Sequence, residues 1–350
     1  MKQSRTTTLL IGAAAIVIVI AGLRSAAGIV GPVVLALSIT IVFHPLRARL
    51  ERRLPVWAAS VVVLIAAYTL IVLMTLAMIV SVGQLAALVP TYAPQINDLV
   101  TGAGDWLAAR GVGSAQVDAV AGAMDVGRVV DAATSVLSDV LSILTDLFFI
   151  ITLLLFLAFD SAQVSRLLQN VHRHRPHLVD ALGSFARGTR SYLGVSAVFG
   201  LIVAVIDTVA LALLGVPGAF VWGVLAFVTN FIPNIGFVIG IIPPAVVGLL
   251  EGGPALMLAV IVVYCVVNLV IQSIIQPRYV GNAVGLSTSL TFLSLIFWTW
   301  VLGPLGALLA VPMSLLFRAI LVQANPDAGW MLPLISGHPD DEPEPAVETA

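Results

Sequence analysis

From Ala219 to Leu250 the chain runs without a single Asp, Glu, Lys or Arg. A stretch of that kind has nothing to offer water, and it exceeds the roughly 20 mostly apolar residues that cross a bilayer as a helix. Similar runs recur at about Thr8–Leu23, Ile29–His44, Val56–Val82, Asp146–Phe159, Tyr192–Leu214, Ala255–Ile275 and Leu290–Val322. Of the 350 residues 60% are hydrophobic and 10% charged, against roughly 25% charged in an average soluble chain. Too few polar side chains exist to cover a soluble fold of this length. The sequence predicts an all-α, polytopic transmembrane bundle of about seven or eight helices, with broken or re-entrant helices in its C-terminal half.

Loop charge sets the expected orientation, because cytoplasmic loops carry the excess of Lys and Arg. Arg47, Arg49, Arg52 and Arg53 face only Glu51 after the second run, and Arg166, Arg173, Arg175, Arg187 and Arg190 dominate after the fourth. Both loops are expected inside, with the N-terminus that carries Lys2 and Arg5. Gln84–Asp146 holds seven aspartates against Arg110 and Arg128 and is expected outside. Within it, Val117, Val120, Met124, Val136, Val140 and their neighbours recur with a helical period, which predicts an amphipathic helix leading into the fourth run. The first run, preceded by Lys2 and Arg5, resembles a signal peptide; a second apolar run follows at once, so a first membrane helix is the preferred reading.

The chain therefore divides into residues 1–83, three membrane helices and a basic inside loop; 84–146, the outside amphipathic segment; 147–322, a transport core with broken hairpins; and 323–350, a Pro- and acid-rich tail expected to be disordered.

Three features of the C-terminal half bear on function. Asp207 sits inside an apolar run, where a carboxylate costs about 2.5–3.5 kcal/mol on insertion scales and needs a partner or a watery cavity. It reads either as a proton- or cation-linked group in a transport path or as a hydrogen-bonded structural residue. Tyr264, Asn268, Gln272 and Gln276 follow one another at i+4 and form one polar stripe on an otherwise apolar helix. They suit passage of a polar solute or ordinary interhelical hydrogen bonding. Finally, the apolar stretches are interrupted at Pro233-Asn234-Ile235-Gly236, at Pro243-Pro244 and at Gly303-Pro304-Leu305-Gly306. Backbone freed at such breaks must be buried or line a cavity, and paired breaks point to transporter binding sites. Leu214-Gly215-Val216-Pro217-Gly218-Ala219 also echoes Leu302-Gly303-Pro304-Leu305-Gly306-Ala307, a weak sign of an internal repeat.

Other chemistries find little support. The net charge of −2 gives no reason to expect nucleic acid as a partner. The sole cysteine, Cys265, excludes an intrachain disulfide and a cysteine metal cluster, and is expected to pack as a small hydrophobe. No metal site and no cofactor is expected; His172, His174 and His177 lie among arginines and suit a solvated basic loop. H-E-x-x-H, G-x-S-x-G and P-loop patterns are missing, so the chain is not expected to be an enzyme.

The residues Leu213-Leu214-Gly215-Val216-Pro217, Phe231-Ile232-Pro233-Asn234-Ile235-Gly236, Ile242-Pro243, Gln276-Pro277-Arg278-Tyr279-Val280-Gly281, Val284-Gly285-Leu286-Ser287, Leu302-Gly303-Pro304-Leu305-Gly306 and Ala310-Val311-Pro312 together resemble the autoinducer-2 exporter family. The match in order and spacing runs over about Gly194–Leu321; the N-terminal part agrees in layout. The resemblance implies a permease-like transporter of the bacterial inner or plasma membrane; loop charge, with the spans alternating sides, puts both termini in the cytoplasm. It also implies a homo-oligomer, with a pentamer as the family's suggestion. Some members are linked to autoinducer-2 export and others to sodium/proton antiport. Asn234 replaces a frequent aromatic and Thr288 a frequent proline, and Asp207 belongs to no family motif. A small polar solute, H+ or Na+, and the lipid bilayer are thus the expected partners. A non-transporting membrane scaffold is the alternative from another class.

Overall fold

The computed structural model describes residues 5–92, 149–156, 167–233, 235–276 and 285–336, with isolated positions between 94 and 138. All regular structure among them is helical. In chain order the helices are α1 (Arg5–Ser25), α2 (Ala27–Leu50), α3 (Val56–Thr91), α4 (Pro176–Leu213), α5 (Ala219–Thr229), α6 (Gly236–Asn268), α7 (Thr288–Leu302), α8 (Pro304–Arg318) and α9 (Leu332–Ser336). A further helical stretch covers 149–156. Two helices change pitch at their ends: α6 continues as a π-helix over Leu269–Ile275, and α8 over Ala319–Gln323.

Five helices are long and apolar enough to cross a membrane: Ala27–Leu50, Val56–Ala77, Pro176–Leu213, Gly236–Ile275 and Pro304–Gln323. Leu10–Ser25, Ala219–Thr229 and Thr288–Leu302 are apolar but shorter. At 1.5 Å per residue the 11 residues of α5 reach only about 16 Å, half the roughly 30 Å of a hydrocarbon core. The broken helices expected from the sequence are thus present.

Helix α4 shows how one sequence serves two solvents. Val198, Leu201, Val205, Val209 and Leu213 are exposed, while Ser196, Gly200, Val203, Ala204, Asp207 and Leu211 are buried. The alternation follows the helical period, with the apolar residues turned outward. In a water-soluble protein this pattern would be inverted; here it marks a face for lipid.

Two helical hairpins dominate the C-terminal half. In the first, α5 turns through 230–235 into α6; in the second, α7 turns at Gly303 into α8. In each, a glycine shortly after a proline, three residues on in the first and two in the second, brings the backbones together. A Cβ on Gly236 would lie 1.9 Å from the Thr229 carbonyl oxygen, and one on Gly306 1.9 Å from that of Trp298. The second hairpin packs on α1 and α2 through Val34, Trp298, Val301, Leu309 and Met313, and Arg24 lies 4.5 Å over the Trp300 ring. Ala181 and Phe185 of α4 pack on Val311, Leu315 and Ala319. Trp222, fully buried, joins α5 to Leu211 of α4 and to Val260 and Tyr264 of α6. Its Nε1 donates to the Pro217 carbonyl at 2.8 Å.

Several boundaries differ from expectation. Helix α3 runs on to Thr91, so residues 84–91 belong to it rather than to the outside segment. The periodic stretch from Val117 lies outside the described residues, isolated positions excepted. Helix α4 begins at Pro176 and carries Arg187 and Arg190, which were assigned to a loop. Pro176 stands at the first helical position, where its missing N–H costs nothing. Pro243 and Pro244 lie inside α6 without ending it; each leaves a carbonyl one turn back without its amide donor and crowds it, but the proline φ suits a helix. The break at Gly253, by contrast, falls in the expected gap between the Ala219–Leu250 and Ala255–Ile275 runs; its φ of 71° and ψ of −166° lie in a region open essentially to glycine alone. The tail is ordered further than expected: Pro326–Met331 forms a 3-10 turn leading into α9, and the Ser287 amide donates to the Ile335 carbonyl at 2.9 Å. The echo between the two Gly-Pro turns holds at its first glycine, Gly215 and Gly303 both having positive φ; Gly218 has it and Gly306 does not.

Candidate transport cleft

Asp207 is completely buried on α4. Neither carboxylate oxygen has a hydrogen-bond partner among the described residues. The side chain opens on a narrow cleft between α4, α5 and α6, lined by Val203, Asp207, Ala226, Thr229, Asn230, Phe237, Gly240, Tyr264, Asn268 and Gln272. Its atom-free space is about 210 Å³, and its free bore admits about one water molecule. Tyr264 is almost fully buried and lines the same cleft, and its hydroxyl also lacks a partner among the described residues. Two polar groups thus meet in a low-dielectric setting with their bonding capacity unused. That is costly unless a mobile species supplies the missing contacts.

Three of the four stripe residues join Asp207 here. Asn268 Nδ2 donates to the Tyr264 carbonyl, one turn back, at 2.8 Å. Gln272 Nε2 donates across helices to Asn230 Oδ1 at 2.8 Å. Gln276, half-buried at the end of the helix, is not part of the lining. The change to π geometry after Asn268 helps hold the stripe in line. In an α-helix a step of four residues overshoots a full turn by about 40°, whereas the wider π turn takes more than four residues and falls short of one. The drift from Tyr264 to Asn268 is therefore reversed from Asn268 to Gln272.

Asn230 was not singled out from the sequence, yet it ties the cleft together. Its Nδ2 donates to the Ser196 carbonyl of α4 at 2.8 Å, while its Oδ1 accepts from Gln272. Gly200 makes the reach feasible, since a Cβ there would lie 2.8 Å from Asn230 Nδ2. A signal was available: Thr229, Asn230 and Asn234 are the hydroxyl and amide side chains in the uncharged Ala219–Leu250 stretch.

The predicted break residues act at different places. Pro233 and Gly236 form the turn directly after Asn230, and Tyr192 Oη donates to the Phe231 carbonyl there at 2.9 Å. Asn234 lies outside the described residues. Pro243 sits within α6. Gly303, Pro304 and Gly306 build the other hairpin and are not among the residues lining the cleft. Among the described residues no cluster of three metal-ligating side chains occurs. His172 approaches Asp180 at 3.9 Å on the exposed surface.

A helical bundle with broken spans, lipid-facing apolar surfaces and an interior polar cleft defines a multi-pass membrane protein of the transporter type. Comparison with known proteins gives the family: the AI-2E family transporter model matches residues 10–325, and the chain belongs to that family. It is 32% identical over 316 residues to the AI-2 transport protein TqsA of Escherichia coli K12, covering 88% of this chain and 90% of the relative. It is 29% identical over 311 residues to the putative transport protein YhhT of the same organism, covering 87% and 88%. A putative transport protein of Haemophilus influenzae is 28% identical over 325 residues, covering 91% and 93%.

Proposed function

We propose that this protein is a secondary transporter that exports a small polar solute, of the autoinducer-2 type, across a bacterial inner membrane through the cleft between α4, α5 and α6. The observation that carries this reading is Asp207: a fully buried carboxylate without a protein partner, on one cleft with Tyr264, Asn268, Gln272 and Asn230. The amides and the phenol both donate and accept, which suits a hydroxyl-rich solute. The carboxylate suits a proton or sodium ion, since an uncompensated buried charge is unstable. Membership of a transporter family supports transport over a scaffold role. The basic loops support cytoplasmic termini, and family resemblance supports a homo-oligomer.

The test uses purified protein in sealed vesicles. Uptake of a labelled furanone diol driven by a proton or sodium gradient is expected in wild type and lost in Asp207→Asn, with the variant still monodisperse. Unchanged gradient-driven uptake in that variant removes Asp207 from the mechanism. A second reading, sodium/proton antiport, is favoured by the narrowness of the cleft, which admits about one water. It requires sodium-dependent proton flux with no organic solute present.

A further inference from the structure

Away from the cleft, Arg47 near the end of α2 presents a second unused polar group. Only 7% of it is exposed. Its Nε donates to Glu51 Oε1 at 2.8 Å, but its buried Nη2 has no hydrogen-bond partner among the described residues. A buried guanidinium with an idle donor is costly, and its planar fork matches phosphate geometry. Beside it, α2, α3 and the 149–156 stretch line a partly open cleft, whose atom-free space of about 420 Å³ includes its open mouth. The wall consists of Ile39, Phe43, Leu64, Ala67 and Leu154, with His44 and Arg47 at its polar end. The remaining hydroxyl, on Thr40, is already engaged with the Ala36 carbonyl at 2.8 Å. On α2 the lining residues lie four apart on one face, and Arg47 is the last of them. On antiparallel α3, Val63 lies nearest that end. The site is therefore a cation at the mouth of an apolar slot.

We propose that this slot binds an anionic phospholipid, its phosphate on Arg47 Nη2 and an acyl chain along Phe43, Leu64 and Ala67. Arg49, Arg52 and Arg53 beside it add the positive field that draws anionic headgroups to cytoplasmic loops. A soluble anion would gain the charge contact but leave the apolar wall unfilled; a zwitterionic lipid would fill the wall but gain less from the charge.

Native mass spectrometry and lipid extraction of the purified full chain test this. Wild type, stripped of lipid and offered phosphatidylglycerol, is expected to take it up saturably, about one molecule per chain, and to retain phosphatidylcholine about fivefold less. Arg47→Gln is expected to lower phosphatidylglycerol retention about fivefold, while Arg187→Gln on α4, which does not line the slot, leaves it nearly unchanged. Val63→Phe, which fills the slot and leaves the arginine in place, is expected to abolish retention. Equal retention of the two lipids by wild type overturns the proposal, as does retention unaffected by both Arg47→Gln and Val63→Phe. Displacement by millimolar inorganic phosphate overturns it in favour of a free-phosphate site, and displacement by lauric acid in favour of a fatty-acid site. The uptake measurement on wild type decides the matter even where a variant does not fold.

Discussion

Single side chains set the chemistry of this protein. Asn268 spends one amide hydrogen on its own helix, and its remaining capacity faces the cleft. Replacing it with leucine keeps the branched outline and removes the polarity. Asn268→Leu is therefore expected to fold, to lose most solute flux in vesicles, and to shift stability by no more than about 1 kcal/mol, the scale of one membrane hydrogen bond. A flux within twofold of wild type would return the residue to a structural role. Beyond the apolar part of α3, Tyr92 donates to Glu251 of α6. Burial, and then the adjacent carboxylate, push its phenol up from 10.0 to about 12. A raised value means that the fold favours the protonated phenol. Its contribution is intact below pH 10 and is lost as pH climbs from 10 towards 12. The tyrosinate absorbance difference between wild type and Tyr92→Phe is expected to show a midpoint near 12; a midpoint near 10 would mean that the contact does not form. Asp207 and the stripe were legible because polar atoms in a hydrocarbon sequence stand out. Asn230 was not, since its role depends on Gly200 lying across from it, and no local pattern announces a partner 30 positions away.

At the level of helices, the hairpins rest on glycines that have no room for a side chain. Gly236→Ala and Gly306→Ala each place a methyl group 1.9 Å from a backbone carbonyl oxygen, so the paired helices must separate. The loss expected is about 1–3 kcal/mol or more, as for other overpacked sites, read as a fall in the fraction surviving heating in detergent. Gly12→Ala and Gly22→Ala, with nothing within 4 Å, serve as controls and are expected to be neutral or slightly stabilising. Equal behaviour of all four would deny the close contacts. Helix existence was legible from hydropathy throughout. Helix ends were not: Arg187 and Arg190 look like loop residues by charge, yet α4 extends beneath them because a helix emerging from lipid can carry arginines in water. Pro243-Pro244 looks like a break and is not, whereas the break at Gly253 falls in the gap the sequence leaves between the Ala219–Leu250 and Ala255–Ile275 runs, where Gly-Gly-Pro marks a turn.

For the molecule as a whole, the sole cysteine gives a direct handle on arrangement. Cys265, expected to pack as a small hydrophobe, is exposed on α6, opposite in kind to the buried Tyr264 beside it. Facing hydrocarbon, it is expected to resist membrane-impermeant maleimides from either side. With Cys265→Ala as background, Arg52→Cys and Arg173→Cys are expected to label only after permeabilisation, and Glu251→Cys from the outside of intact cells. Labelling of Arg52→Cys in intact cells would invert the proposed orientation. The unpartnered carboxylate of Asp207 has a last consequence, in the language of mass action. Whatever species completes its bonding binds the folded chain and not the unfolded one, and so must raise the temperature at which the protein melts. At a hundred times its dissociation constant a ligand contributes about 2.7 kcal/mol. Protons, sodium and candidate solutes can therefore be ranked by thermal shift, against Asp207→Asn as the blank, before any flux is measured.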